Sequence, residues 1–254
     1  MDIRRVVLEV DSIPISGQLY LPGEPGTYPA VCVCHGIPSG KPGDPDDGGY
    51  PELAGKICRE GFMVFIFNFR GAGESGGNLD LPGWVRDLEG AIDYLYGLPE
   101  LDKPHLSLLG FSGGAAVSIY VTAQDKRVSC LATCAAPAEF NSLIGKGTPQ
   151  SMVDYFRDIG TIRDAGFPQS AEEWMAGFYQ INPVARVAEI APRPLLLVHG
   201  KQDETIPVEH AYRLYDSAKE PREIVIIEGA GHHLRPHDQA VAVVLEWLKR
   251  RCWD

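Results

Sequence analysis

One serine in this chain is set for nucleophilic chemistry. In Gly110-Phe111-Ser112-Gly113-Gly114 the serine has a glycine two residues before it and another two residues after it. A turn sharp enough to thrust its apex side chain out above its surroundings crowds both of those positions, and glycine is the residue that tolerates the crowding. A serine hydroxyl is a poor nucleophile near neutral pH. It needs an imidazole to take its proton and a carboxylate to orient that imidazole. Carboxylates stand at Asp203 and Glu204 just past an apolar run, and His232 and His233 lie in a glycine-rich segment further on. Together these residue types allow attack on a carbonyl through a covalent intermediate.

Each group must be held by an element. His105-Leu-Ser-Leu-Leu109 alternates and then runs apolar, as a buried strand does, and Ala115 to Ala123 reads as a helix that begins with no room for a loop. Ser112 would then sit at a helix N-terminus, where free N–H groups and the helix dipole favour negative charge on an attacked carbonyl. Ile3 to Val10 and Ile15 to Leu21 alternate apolar and polar residues around Asp11–Pro14, an opening antiparallel hairpin. Tyr28–His35, Phe62–Asn68, Val128–Cys134, Pro194–Gly200 and Glu223–Glu228 are apolar runs of the kind found where helices cover both faces of a sheet. Helical patterns at Glu52–Glu60, Trp84–Leu98, Pro207–Tyr215 and Asp238–Arg251 alternate with them. The alternation predicts an α/β fold with a mostly parallel eight-stranded sheet and helices on both faces.

At 254 residues the chain can bury a full core as one domain. A net charge of −11 disfavours nucleic acid and anionic membrane as partners, since both require a positive surface. No apolar run approaches the ~18 residues of a membrane span, and Met1-Asp-Ile-Arg-Arg-Val-Val has no export-signal pattern, so a cytoplasmic protein is expected. Cys32, Cys34, Cys58, Cys130, Cys134 and Cys252 lack paired metal spacing and read as core residues. His233 and His237 lack a third zinc ligand. Asp44, Asp46 and Asp47 lack the remainder of a calcium loop and read as a solvated acidic rim. Arg70-Gly-Ala-Gly-Glu-Ser-Gly-Gly77 is glycine-rich, but it has neither a P-loop ending nor the dinucleotide order. No metal and no organic cofactor is implied.

Five segments resemble the α/β-hydrolase superfamily: Gly110-x-Ser112-x-Gly114, His35-Gly36, Arg70-Gly-x-Gly-x-Ser75, His199-Gly-x-x-Asp203-x-x-x-Pro207 and Gly229-x-Gly-His232. The order Ser, Asp, His is the order that fold uses. The resemblance is nearest to small esterase-like and acylaminopeptidase-like members, including those that hydrolyse cinnamoyl esters. It selects Asp203 over Glu204 and His232 over His233, with Glu139 as the reserve acid. It also implies that the backbone N–H groups of Ile37 and Gly113 form an oxyanion hole, with His35 structural and the Arg70–Ser75 segment as scaffolding. The same resemblance puts a helical cap at about residues 138–191 of a single domain, residues 1–254. Phe111 and the cap aromatics Tyr155, Phe156, Trp174, Phe178 and Tyr179 are then expected to line the substrate pocket. The implied function is hydrolysis of carboxylic esters of small to medium acyl groups by a serine esterase acting on a small molecule. An amidase or aminopeptidase using the same groups is one alternative. A catalytically silent ligand-binding protein is another, motivated by Phe111 and Gly113, which depart from what many esterases carry.

Overall fold

The computed structural model describes residues 1–40, 47–141 and 147–252. Asp44 and Asp46 lie outside the described residues, as does the side chain of Cys252. The chain opens with β1 (Asp2–Val10), β2 (Ile13–Leu21) and β3 (Tyr28–Cys34), then α1 (Gly49–Arg59), β4 (Met63–Phe67) and α2 (Leu81–Gly97). It continues through β5 (Leu101–Phe111), α3 (Gly113–Gln124), β6 (Cys130–Cys134), α4 (Pro149–Asp158), α5 (Ala171–Gln180) and α6 (Pro183–Arg186). The last elements are β7 (Leu195–Gly200), α7 (Glu209–Ser217), β8 (Arg222–Ile227) and α8 (Asp238–Cys252).

All eight strands form one sheet in the order β1-β2-β4-β3-β5-β6-β7-β8. The β1–β2 hairpin is antiparallel and β2 joins β4 antiparallel, while every other pairing is parallel. Alternate residues divide between two cores, as the strand period of two requires. Cys32, Phe65, Leu108 and Leu197 pack with Trp84 and Leu88 of α2 and with Ala116 of α3. Val33, Val64, Leu109 and Val198 face the other way, onto Ile57 of α1 and Trp247 of α8. Cys32, Cys34, Cys58, Cys130 and Cys134 are buried in this packing.

Register sets the ends of the strands level. Cys34 pairs Gly110, Phe111 pairs Cys134, Cys134 pairs Val198 and Gly200 pairs Ile227. The segments leaving β3, β5, β7 and β8 therefore emerge at one end of the sheet, where an open parallel sheet carries its functional groups.

Helix starts differ from the sequence expectation for local reasons. α2 begins at Leu81 rather than Trp84, because Asp80 accepts the Gly83 N–H at 2.9 Å and Pro82 occupies the first turn. α1 likewise begins at Gly49, three residues before Glu52, with Pro51 in its first turn. β5 begins at Leu101, ahead of His105, and its register with β3 shifts between Leu101 and Leu106 around Pro104, which has no N–H to give a ladder.

Candidate active site

Ser112 stands between the end of β5 and the first residue of α3 with φ 51° and ψ −123°, a left-handed φ that costs a non-glycine residue energy. The turn persists because its surroundings fix it. The Ser112 N–H donates to Cys134 O at 2.9 Å, and Ser112 O accepts from the N–H groups of Ala115 and Ala116. A Cβ on Gly110 would lie 2.5 Å from Ala115 Cα, and one on Gly114 would lie 2.2 Å from His35 O. Both flanking positions exclude any side chain.

Two other loops converge on this serine. His232 Nε2 lies 3.1 Å from Ser112 Oγ, and His232 Nδ1 lies 2.8 Å from Asp203 Oδ2. With the Nδ1 proton facing a carboxylate, Nε2 is left as the acceptor of the serine hydroxyl proton. The Asp203 carboxylate is heavily supplied with donors. Its Oδ1 accepts the N–H groups of Thr205 and Ile206 at 2.9 and 2.8 Å, and its Oδ2 also lies 3.3 Å from His199 Nε2. Burial works to raise the Asp203 pKa, but hydrogen bonds from His199, His232 and Ile206 outweigh it and hold the carboxyl well below its ordinary range. His199 stands four residues before Asp203, a spacing that in sequence alone carries no role. Its ring is buried and also lies 2.8 Å from Ile206 O, so it braces the Asp203 turn.

Residues 29–189 match the family described as the alpha/beta hydrolase fold. The chain belongs to the α/β-hydrolase family. The matched span includes Ser112 and ends before Asp203 and His232. The uncharacterized protein YfhR of Escherichia coli O157:H7 is 30% identical over 182 residues, which are 71% of this chain and 56% of that protein, so the match spans little more than half of YfhR. The uncharacterized peptidase YtmA of Bacillus subtilis (strain 168) is 23% identical, over 95% of this chain and 91% of that one. Among solved structures, the Pyrococcus furiosus esterase Pf2001 superposes with a TM-score of 0.73 at 22% identity, covering 99% of this chain and 93% of that one, a likeness of fold.

On this α/β-hydrolase scaffold, the turn after β3 lies directly against the serine. An added Cβ on Gly36 would stand 3.0 Å from Ser112 Cβ. The Ile37 side chain fills the space beside Gly113, where a Cβ would come within 2.6 Å of Ile37 Cγ1 and 3.5 Å of Ile37 N. Glycine at 113, a departure from many esterases, is thereby explained by the seat it makes for Ile37. The Gly113 N–H heads α3, in the first turn that has no acceptor within its own helix. His35 Nε2 accepts the Phe69 N–H at 3.0 Å, so its Nδ1 donates to Gly36 O at 2.7 Å. Burial pushes the His35 pKa down to about 4, and the neutral ring joins the ends of β3 and β4 as a structural group. Glu139 pairs with Arg213 at 2.9 Å. Arg70 is buried on Asp87, and Ser75 Oγ donates to Asn68 O and accepts the Ser16 N–H, which fixes the loop after β4 as a strut.

The aromatics expected at the pocket fall into two groups, buried and exposed. Phe156, Trp174 and Phe178 are buried and pack edge to face on one another, with Trp174 Nε1 donating to Leu79 O at 2.7 Å. A helical stripe of large rings buries apolar area most efficiently against a core, and here it joins the core beneath α2. Phe111 is also core, packed edge-on against Tyr50 and lining an apolar void of about 10 Å³ beneath α1 and α8. Tyr155 is exposed and donates to Ser39 O at 2.7 Å, and Tyr179 is exposed. A larger cavity, about 250 Å³, opens beside the ends of β3 and β4 among Gln18, His35, Tyr50, Asn68 and Glu74.

Proposed function

We propose that this α/β-hydrolase is a serine hydrolase that cleaves carboxylic esters through an acyl-enzyme. The observation that carries the reading is His232 bridging Ser112 Oγ and Asp203 Oδ2 within hydrogen-bond distance on both sides. In the first half-reaction Ser112 Oγ bonds to the ester carbonyl carbon as its proton passes to His232 Nε2. Asp203 stabilises the imidazolium, and the Ile37 and Gly113 N–H groups hold the oxyanion. Collapse breaks the bond to the leaving oxygen, which takes the proton from His232 and departs as the alcohol. Water then attacks the acyl-Ser112 ester by the same route, releasing the acid and restoring the serine. No step calls on a metal or cofactor. The cap assigned to about residues 138–191 belongs to this proposal.

The first experiment combines turnover of p-nitrophenyl acetate with labelling by a fluorophosphonate probe. The wild type is expected to hydrolyse the ester and to carry the adduct on Ser112. Ser112→Ala is expected to lose about 10⁴ to 10⁶ in kcat and all labelling while keeping its fold, because the three groups act as a unit. Wild-type turnover in that variant would overturn the assignment. An absent adduct on the wild type would favour a silent ligand-binding protein, a reading opposed by the intact hydrogen-bonded chain of three side chains. Amide cleavage uses the same groups, and a relative named as a peptidase supports it. Matched ester and anilide substrates of one acyl group decide between the two.

A further inference from the structure

Outside the residues assigned above, one side-chain cluster touches both halves of the site. Arg235 lies three residues beyond His232 in the segment between β8 and α8. Its guanidinium forms a two-pronged ion pair with both carboxylate oxygens of Asp47 and stands over the Tyr50 ring, 5.0 Å from its centroid. Asp47 is itself tied to the start of α1, where its Oδ1 accepts the Gly49 N–H at 3.0 Å. Tyr50 continues the chain of contacts. Its hydroxyl oxygen accepts the Gly36 N–H at 3.4 Å, and its ring meets Phe111 edge-on with centroids 5.6 Å apart. Gly36 precedes Ile37 and Phe111 precedes Ser112, so these contacts run from the His232 loop to both the oxyanion turn and the elbow.

We propose that Arg235, paired with Asp47, is a positioning residue that fixes the His232 loop and, through Tyr50, the Gly36–Ile37 turn relative to Ser112. This rests on the serine-hydrolase reading. The need for such a device is physical. Between β8 and α8 the backbone around His232 is irregular, with no ladder or helix to set its angle, yet His232 must meet Ser112 Oγ and Asp203 Oδ2 at once. Leu234 is buried in the core on one side of Arg235, and the ion pair adds an anchor with defined direction. Arginine suits this task because its planar fork takes both carboxylate oxygens while its face stacks on an aromatic ring, which lysine cannot do. The side chains of Arg235 and Asp47 are only 20% and 17% exposed, so water screens the pair less than a surface pair. Consistent with this, Arg235 holds the Asp47 carboxyl below its ordinary range.

The experiment uses the full chain with Arg235→Ala, Arg235→Lys, Asp47→Asn and the double variant Asp47→Asn with Arg235→Ala. It measures Tm, kcat and KM on p-nitrophenyl acetate, and the rate of fluorophosphonate labelling. Well below its own Tm, Arg235→Ala is expected to lose roughly 10- to 100-fold in kcat with KM nearly unchanged, the scale of a small misplacement of reacting groups. Labelling should slow in parallel. Millimolar guanidinium ion should restore part of the Arg235→Ala rate and none of the Ser112→Ala rate. Arg235→Lys should recover only part of the loss, and the double variant should be little slower than Arg235→Ala, since contacting partners are not additive. If Arg235→Ala does not fold, Asp47→Asn and Tyr50→Phe read the same two links separately, and each is expected to lower kcat with KM held. Wild-type kcat in variants that show only a lowered Tm would overturn the proposal and leave the serine-hydrolase reading standing. A wild-type protein that neither turns over ester nor labels would overturn both.

Discussion

Adjacent histidines in one loop are placed differently by the backbone. His232 is half-buried with both ring nitrogens within hydrogen-bond distance of Ser112 and Asp203, whereas His233 is exposed and touches the site through a ring contact with His232 at 5.8 Å. His232→Ala is therefore expected to remove most of the rate on p-nitrophenyl acetate, about 10⁴-fold or more, and His233→Ala to change kcat/KM by no more than a few-fold. The opposite pattern would move the proton shuttle by one residue. His199 acts at one remove from the chemistry. Its Nε2 shares Asp203 Oδ2 with His232, so His199→Ala takes one donor away from a carboxylate that keeps two backbone N–H groups. A loss of roughly 10-fold in kcat is expected, far short of the His232→Ala effect, with KM unchanged as befits a group that never meets substrate.

Elements place these residues through close backbone approach. At Gly114 a Cβ would meet His35 O at 2.2 Å and Cys34 O at 2.7 Å, backbone atoms at the end of central strand β3 that cannot turn aside. Gly114→Ala is expected to lower unfolding stability by about 3 kcal/mol or more, whereas Gly97→Ala at the end of α2, where a Cβ would meet nothing, is expected to raise it by about 0.5 kcal/mol. Denaturant unfolding of the two variants checks the opposite signs. The strand sequence and the elbow were legible in the chain because they follow from apolar runs and from glycine at fixed offsets. So was the nomination of Ser112, Asp203 and His232, although sequence spacing carries no distances and their roles belong to the proposed function. Other features escaped sequence reading, each for its own reason. The α2 start turned on a cap from Asp80, outside the apolar stripe. The aromatic stripe of α5 looks the same whether it faces a ligand or the groove beside α2. The Arg235–Asp47 pair joins residues 188 apart, a contact that no local pattern announces.

At the scale of the whole molecule, buried histidines couple stability to pH, His35 at the ends of β3 and β4 and His210 in α7. His35 is folded with its pKa pushed down to about 4 by burial, against 6.5 for an ordinary imidazole. Within that interval the unfolded chain binds a proton that the folded chain does not. The stability His35 contributes is thus present above pH 6.5 and lost as pH falls toward 4, by about 3 kcal/mol over the full window. Burial shifts His210 down as well, adding a slope of the same sign. Asp203 acts later, since its depressed carboxyl loses its contribution only as pH falls below the ordinary carboxylate value near ~4. Burial raises the pKa values of Asp80 and Asp87, and those two oppose the histidines by favouring the folded state in acid. The net wild-type curve therefore mixes signs, and the diagnostic quantity is the difference between wild type and His35→Gln. That variant should be the less stable protein at pH 7.5, where it lacks the imidazole fit between Phe69 N and Gly36 O, and the gap should narrow steadily as pH is lowered from 6.5 to about 4. Urea unfolding at a series of pH values measures it. A gap that stays constant across the window would mean that His35 titrates alike in the folded and unfolded chains, and that burial at the end of β3 does not hold the ring neutral.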